Sequence, residues 1–151
     1  MPEASEHVIV IDAAPRAVFE HLRDPQSYVG LSPLVVEARG VREEGGVLHY
    51  LAVERFRILG PVHYDNKIAV TLRASDSDPS RLVVDGDVDS PGGVTLAYSY
   101  TITPRGAGAQ VVDRIDVSAP PGLRRFALGQ ARKVQLARGA VLRQRLGGTE
   151  R

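Results

Sequence analysis

The fold follows from one long segment, residues 121–146, whose sequence is PGLRRFALGQARKVQLARGAVLRQRL. A proline pair at 120–121 opens it, and proline suits the first turn of a helix, where its missing N–H needs no partner. A glycine pair at 147–148 follows it, and glycine is common where helices end. The pattern therefore predicts one long closing helix from Pro121 to Leu146.

The predicted helix has two different faces. Mostly apolar side chains recur at three- and four-residue steps, which places them on one stripe: Leu123, Phe126, Gln130, Val134, Ala137 and Val141. The opposite side carries polar residues: Arg124, Arg132, Gln135 and Arg143. We expect the first stripe to pack against a sheet and the second to face water.

The chain upstream of this helix supplies that sheet. A β-branched run at 5–12 predicts a first strand, and two short helices follow, one starting at Pro15 and one capped by Asp24. Alternating runs separated by Gly/Pro/Asx clusters then predict six more strands: 34–42, 47–58, 62–74, 81–89, 94–103 and 110–118. The order β-α-α-β6-α predicts an α+β helix-grip fold. In it, a curved seven-stranded antiparallel sheet surrounds the closing helix in a single domain, 1–151.

Composition excludes several classes of function. The net charge of +1 argues against a nucleic-acid partner, and the absence of cysteine excludes disulfides and thiol chemistry. The four histidines fall in four different elements, so we expect no metal site, and no nucleotide-binding motif predicts a cofactor. No apolar run approaches the length of a membrane span, so we expect a cytoplasmic protein without an integral membrane segment.

Several tyrosines are predicted to point inward. Strict alternation places Tyr64, Tyr98 and Tyr100 on the apolar faces of their strands. Strand 47–58 is ambiguous, and we favour the set containing Tyr50 as its inward face. Phenols on an apolar surface suit a cavity for a flat, partly polar ligand, although ordinary core packing gives the same pattern.

Asp113 is the sharpest candidate for chemistry. It lies between Val111 and Ile115, so alternation turns its carboxylate inward, and Gln130 is placed to face it. A buried carboxylate could serve as a general acid or base in ring closure or dehydration. The alternative is a structural hydrogen bond to a tyrosine or an arginine.

Other charged groups have simpler interpretations. We interpret Glu54, Arg55 and Arg57 as members of cross-strand ion pairs rather than cavity groups. A solvated face near Lys67 and Arg81 accounts for three aspartates at alternate positions: Asp85, Asp87 and Asp89. The closing helix carries seven basic residues that could dock on a membrane or an acidic carrier protein, or simply face water: Arg124, Arg125, Arg132, Lys133, Arg138, Arg143 and Arg145.

Three segments near the N-terminus resemble a known superfamily. Residues 10–19 (VIDAAPRAVF), 24–28 (DPQSY) and 32–35 (SPLV) are similar to the opening of START/Bet v 1-like (SRPBCC) proteins. They are most similar to the polyketide cyclase/dehydrase and lipid-transport group. The resemblance implies a hydrophobic cavity between sheet and closing helix. It does not imply one function, because cyclases, lipid carriers and hormone receptors share this fold.

These observations predict binding of a hydrophobic small molecule, lipid or polyketide-like, by a monomer or homodimer. We expect the following ligand-binding residues: Phe19, Tyr50, Tyr64, Leu96, Tyr98, Tyr100, Asp113, Phe126, Gln130 and Val134. The first alternative is an aromatase/cyclase that uses Asp113 and the tyrosines. The second is a protein-interaction module that works through the basic helix.

Overall fold

Seven antiparallel strands form one curved sheet, and a long helix lies across it. A computed structural model describes residues 3–59, 61–90 and 93–147. The strands are β1 (Glu3–Ile11), β2 (Val35–Glu44), β3 (Val47–Leu59), β4 (Val62–Ser75), β5 (Leu82–Ser90), β6 (Val94–Arg105) and β7 (Gly108–Ser118). The helices are α1 (Pro15–Leu22), a 3₁₀ helix (Pro25–Tyr28) and α2 (Arg124–Leu146).

The strand order across the sheet is β1-β7-β6-β5-β4-β3-β2. Consecutive strands pair as a meander from β2 to β7, and β1 returns to pair with β7, from Glu3 opposite Val117 to Ile11 opposite Ala109. The predicted pairing of the first strand and the predicted helix-grip fold are therefore confirmed.

Local sequence explains the short helices between β1 and β2. Pro15 begins α1, whose buried side includes Phe19 and Leu22. The Asp24 side chain accepts a hydrogen bond from the Gln26 N–H at 3.0 Å, so the predicted cap is confirmed. Helix α1 contacts β5, β6 and β7, and the 3₁₀ helix contacts β2.

Strands β4 and β5 come unusually close beside Gly86. The β4–β5 ladder is interrupted between the Val70–Val88 and Arg73–Asp85 pairs. A Cβ atom at Gly86 would overlap the carbonyl of Thr71, so only glycine fits there.

Helix α2 differs from its prediction at the start but not at the end. The proline-containing stretch before it forms a turn, and the helix begins at Arg124 rather than at Pro121. It ends at Leu146, as predicted, and Gly147 follows with a φ of +112°. Gly148 lies outside the described residues.

The face of α2 that is buried against the sheet lies beside the predicted stripe, four members of which face the space between α2 and the sheet. The residues buried against β1 and β7 are Leu128, Ala131, Gln135, Arg138, Gly139 and Leu142. Gln135 and Arg138, which we expected on the solvent side, are polar members of this stripe. Both donate hydrogen bonds to Asp113, and these bonds make their burial possible. Gly139 allows close packing, since a Cβ there would lie 3.2 Å from the His7 ring.

Candidate functional site

A cavity of about 560 Å³ lies between the concave side of the sheet and α2. Its size is in the range of about 300–1,000 Å³ that is typical of small-molecule sites. Most of its lining is apolar: Leu34, Val35, Ala52, Phe56, Ile68, Val70, Val88, Val94, Leu96, Ile115, Leu123, Phe126, Ala127, Ala131 and Val134. A space of this size and composition suits a hydrophobic guest.

The two ends of the cavity differ in exposure. We call the region lined by Tyr28, Ser32, Tyr50, Tyr98, Tyr100 and Arg138 the deep end. We call the region lined by Glu54, Phe56, Asn66, Leu123 and Phe126 the outer end. Tyr100 and Arg138 are 1% and 7% exposed, whereas Phe56 and Phe126 are 37% and 66% exposed. The cavity is therefore closed at the deep end and open to solvent at the outer end.

A buried ion pair lies at the deep end, where its arginine, Arg138, lines the cavity. Asp113 is fully buried, and its carboxylate accepts hydrogen bonds from Nε and Nη2 of Arg138 at 3.1 and 2.9 Å. Gln135 donates to the backbone carbonyls of Asp113 and Ser5, and the Ser5 hydroxyl donates to Gln135 at 2.7 Å. The pair and its neighbours satisfy one another, which a buried ion pair requires.

The inward orientation predicted for Asp113 is confirmed, but its partners were not foreseen. Gln130 lines the cavity and does not bond to Asp113, because the contact face of α2 is rotated to Gln135 and Arg138. Asp113 itself does not line the cavity. Its carboxylate is engaged by an arginine, which matches the structural alternative stated above.

The tyrosines of the deep end are neutral donors. Tyr98 and Tyr28 donate to the backbone carbonyls of Thr71 and Leu22, each at 2.6 Å. The Tyr50 hydroxyl makes no hydrogen bond to any residue that the structure describes. Burial raises the pKa of Tyr50, Tyr98 and Tyr100 well above the usual value for a phenol, so these hydroxyls keep their protons.

Arg138 is the cation of the deep end. Its guanidinium carbon lies 5.2 Å from the centre of the Tyr100 ring, within range of a cation–π interaction. Its third nitrogen, Nη1, contacts the Ser32 hydroxyl at 3.4 Å. Sequence reasoning placed Arg138 among the solvent-facing basic residues and missed this role. The available signal was that Arg138 continues a stripe with three- and four-residue steps: Leu128, Ala131, Gln135, Arg138 and Leu142.

Glu54 is the carboxyl group that lines the cavity. Asn66 donates to it at 3.3 Å, and burial raises the pKa of Glu54 above its usual value. Our interpretation of Glu54 as a member of a surface ion pair was wrong, since it alternates with Tyr50 and Ala52 on the inward face. That choice of inward face for β3 is confirmed. Arg55, on the other face, forms the expected cross-strand pair with Asp65.

The surface charges are arranged partly as expected. The side chain of Arg57 lies outside the described residues. Asp85 pairs with Arg73 rather than with Lys67 or Arg81. Of the seven basic residues of α2, Arg138 is buried, and Arg145 donates to the backbone carbonyls of Ser27 and Val29.

The structure brings most of the predicted ligand-binding residues to one place. Seven of them line the cavity: Tyr50, Leu96, Tyr98, Tyr100, Phe126, Gln130 and Val134. Phe19 does not, because α1 packs it into the core at 1% exposure. Tyr64 does not either, and is 56% exposed, since β4 continues past the part of the sheet that α2 covers.

Two further kinds of feature are missing from residues 3–59, 61–90 and 93–147. No group of three His, Asp or Glu side chains there could hold a metal ion. No helix among those residues is long and apolar enough to cross a membrane.

Comparison with known proteins identifies the family. A family profile described as polyketide cyclase/dehydrase and lipid transport matches residues 3–147. The chain belongs to this family. No curated protein matches the sequence as a relative.

Several solved structures share the fold of this member of the polyketide cyclase/dehydrase and lipid-transport family. The Zhui aromatase/cyclase from Streptomyces sp. R1128 has a TM-score of 0.74 at 16% identity, covering 94% of this chain and 92% of that one. TTHA0849 from Thermus thermophilus has a TM-score of 0.68 at 16% identity, covering 95% and 97%. A STAR-related lipid transfer protein from Xanthomonas axonopodis has a TM-score of 0.65 at 14% identity, covering 93% and 85%. At these identities the likeness establishes the fold alone.

Proposed function

We propose that this protein binds a hydrophobic small molecule, such as a lipid or a polyketide, in the cavity between the sheet and α2. The observation that carries the proposal is the cavity of about 560 Å³, which is apolar along most of its length and open at one end. A packed core has few voids larger than a water molecule, so a space of this size indicates a site for a guest.

The chemistry of the deep end favours binding over catalysis. An acid–base reaction needs a titratable group within hydrogen-bonding reach of the reacting atom. Asp113, the predicted catalytic residue, is bonded through both oxygens to Arg138 and does not line the cavity. The raised pKa values of Tyr50, Tyr98 and Tyr100 keep these phenols protonated, so they are weak acids and no phenolate is present to act as a general base.

The outer end favours exchange of the guest with its surroundings. Phe126 and Leu123 are exposed beside the opening, so an apolar ligand meets apolar side chains before it enters. This arrangement suits a carrier that takes up and releases its ligand without unfolding. We therefore extend the proposal from ligand binding to ligand transport.

Two measurements test the binding proposal. Native mass spectrometry of the protein purified from its own host should detect a retained small molecule. The neutral dye N-phenyl-1-naphthylamine should gain fluorescence on titration with the protein and saturate at one site. Recovery of the bare chain together with no saturable dye binding would contradict the proposal.

A cyclase function is the second candidate, and Glu54 is the observation that favours it. This carboxyl lines the cavity, and burial raises its pKa toward the range useful for proton transfer. Arg138 and Tyr50 could then polarise a ligand carbonyl from the deep end. If the protein catalyses ring closure, Glu54→Gln should abolish turnover and leave dye binding in place. Unchanged turnover in that variant would exclude this role.

The interaction-module alternative is less well supported. It requires a filled core and a free basic face on the closing helix. Here the space under the helix is open, and Arg138 and Arg145 both bond within the protein.

A further inference from the structure

We infer that the cavity selects an uncharged ligand whose oxygen acceptor lies at the deep end, beside Tyr50 and Arg138. The ligand class is a neutral amphiphile that carries a carbonyl, amide or phenol oxygen, and free carboxylates are disfavoured. The inference rests on the proposed binding function and specifies what the site accepts.

The charge balance of the cavity disfavours a ligand anion at the deep end. Among the described residues that line it, the charged side chains are Arg138 and Glu54. The charge of Arg138 is already matched by Asp113 at 2.9 and 3.1 Å. A ligand carboxylate at the deep end would therefore add a buried charge without a free counter-ion, which is strongly unfavourable.

The deep end has hydrogen-bond donors available for a ligand oxygen. Tyr50 is almost fully buried, and its hydroxyl has no hydrogen-bond partner among the described residues. Nη1 of Arg138 makes a long contact of 3.4 Å to Ser32 and keeps donor capacity toward the cavity. A single oxygen acceptor from a ligand would give both of these donors a good partner.

The position of Glu54 also favours an uncharged ligand. Its carboxyl lies on the same strand face as Tyr50, four residues along β3 and closer to the outer end. When ionised, it would repel an anionic ligand at the opening, and it would accept a hydrogen bond from a hydroxyl on a neutral one. The apolar middle of the cavity, which includes Ile68, Leu96 and Val134, then holds the hydrocarbon part.

A matched pair of ligands tests the inference. Octanamide and octanoate have nearly the same shape, and octanoate is ionised at pH 8. Displacement of N-phenyl-1-naphthylamine measures the affinity of each ligand. We expect octanamide to bind at least about tenfold more tightly than octanoate, because burying an unpaired carboxylate is strongly unfavourable. Octanoate binding equally well or more tightly would overturn the inference.

Variants separate specific recognition from general hydrophobicity. Tyr50→Phe should lower octanamide affinity by about 3- to 10-fold relative to dye affinity in the same variant, as loss of one hydrogen bond predicts. Tyr64→Phe removes the same atom from an exposed tyrosine outside the cavity and should leave octanamide affinity unchanged. Equal octanamide affinity in Tyr50→Phe and the parent protein would refute the assigned acceptor position.

Asp113→Asn adds a charge test. This substitution removes the counter-ion of Arg138. If the variant folds, the affinity for octanoate should therefore rise at least about tenfold relative to the affinity for octanamide. If Asp113→Asn does not fold, the comparison of Tyr50→Phe with the parent protein still tests the inferred acceptor position. Failure of the dye and both octyl ligands to bind the parent protein would refute the proposed function itself. Binding of the dye with a preference for octanoate would refute the selectivity alone.

Discussion

The deep end and the outer end of the cavity use side chains in opposite ways. At the deep end, a charged pair and several phenols are buried, and most of them are bonded to one another or to the backbone. At the outer end, aromatic and aliphatic side chains remain exposed. The deep end therefore fixes the helix on the sheet, whereas the outer end leaves room for a ligand to pass.

The largest expected effect concerns the ion pair. Arg138→Ala leaves the Asp113 carboxylate buried without its partner, and we expect a loss of about 3–5 kcal/mol in the free energy of unfolding. Urea denaturation monitored by circular dichroism measures it. Arg132→Ala, at an exposed position on the same helix, should change stability by less than about 0.5 kcal/mol.

A second variant checks the reason for that loss. The double substitution Asp113→Leu/Arg138→Met replaces both charges by apolar groups and should recover most of the stability, because no unpaired charge remains. If the single and double variants are equally unstable, loss of the shape of the arginine rather than of its charge explains the effect.

A smaller effect is expected for the hydrogen bonds beside the pair. Gln135→Ala removes the bonds to Ser5 and to the Asp113 carbonyl, and we expect a loss of about 1–3 kcal/mol. Gln130→Ala, five residues earlier on the same helix, removes a cavity-lining amide and should cost clearly less. Thermal unfolding of both variants compares them, and equal losses would contradict the distinction between the two faces of α2.

At the outer end we expect binding and stability to separate. Phe126→Ala should change the unfolding free energy by less than about 0.5 kcal/mol, because the side chain is exposed. It should lower dye affinity by up to about tenfold, since it removes apolar contact area at the opening. Leu136→Ala, exposed on α2 but away from the cavity, is the control and should alter neither quantity.

The smallest expected effect is a pH dependence from Glu54. Burial raises its pKa in the folded protein above the unfolded value, so the folded state binds a proton more tightly. Its contribution to stability is present below about pH 4.3, the usual carboxyl pKa, and is lost as pH rises through the folded value. Glu54→Gln should match the parent protein at low pH and be more stable at neutral pH. Urea denaturation of both proteins across this pH range measures the difference in stability. Unfolding free energies that change in parallel with pH would contradict the expected effect of Glu54.

The sequence predicted the sheet well because strand alternation and turn residues are local signals. The strand order, the end of α2 and the inward carboxylate of Asp113 all follow from spacing alone. The contact face of α2 could not be predicted from spacing, because Gln135 and Arg138 are polar and their burial depends on partners far away in the chain.

The cavity residues divide in the same way. Tyr98 and Tyr100 were found because alternation sets their side of the strand. Tyr64 was placed wrongly, because alternation does not indicate where the covering helix stops. Glu54 belongs to the inward set that was favoured for β3, but it was assigned to an ion pair, since a charged side chain on a strand usually faces water.

The location of the ligand is the most direct test of the whole account. Methyl-resolved NMR of the protein saturated with octanamide should shift the signals of Val70, Ile115 and Val134, which line the cavity. Signals from Val8 and Val10, exposed on the other side of the sheet, should stay in place. Shifts confined to those exposed valines, or no shifts at saturating ligand, would contradict the claim that the space between the sheet and α2 is a binding site.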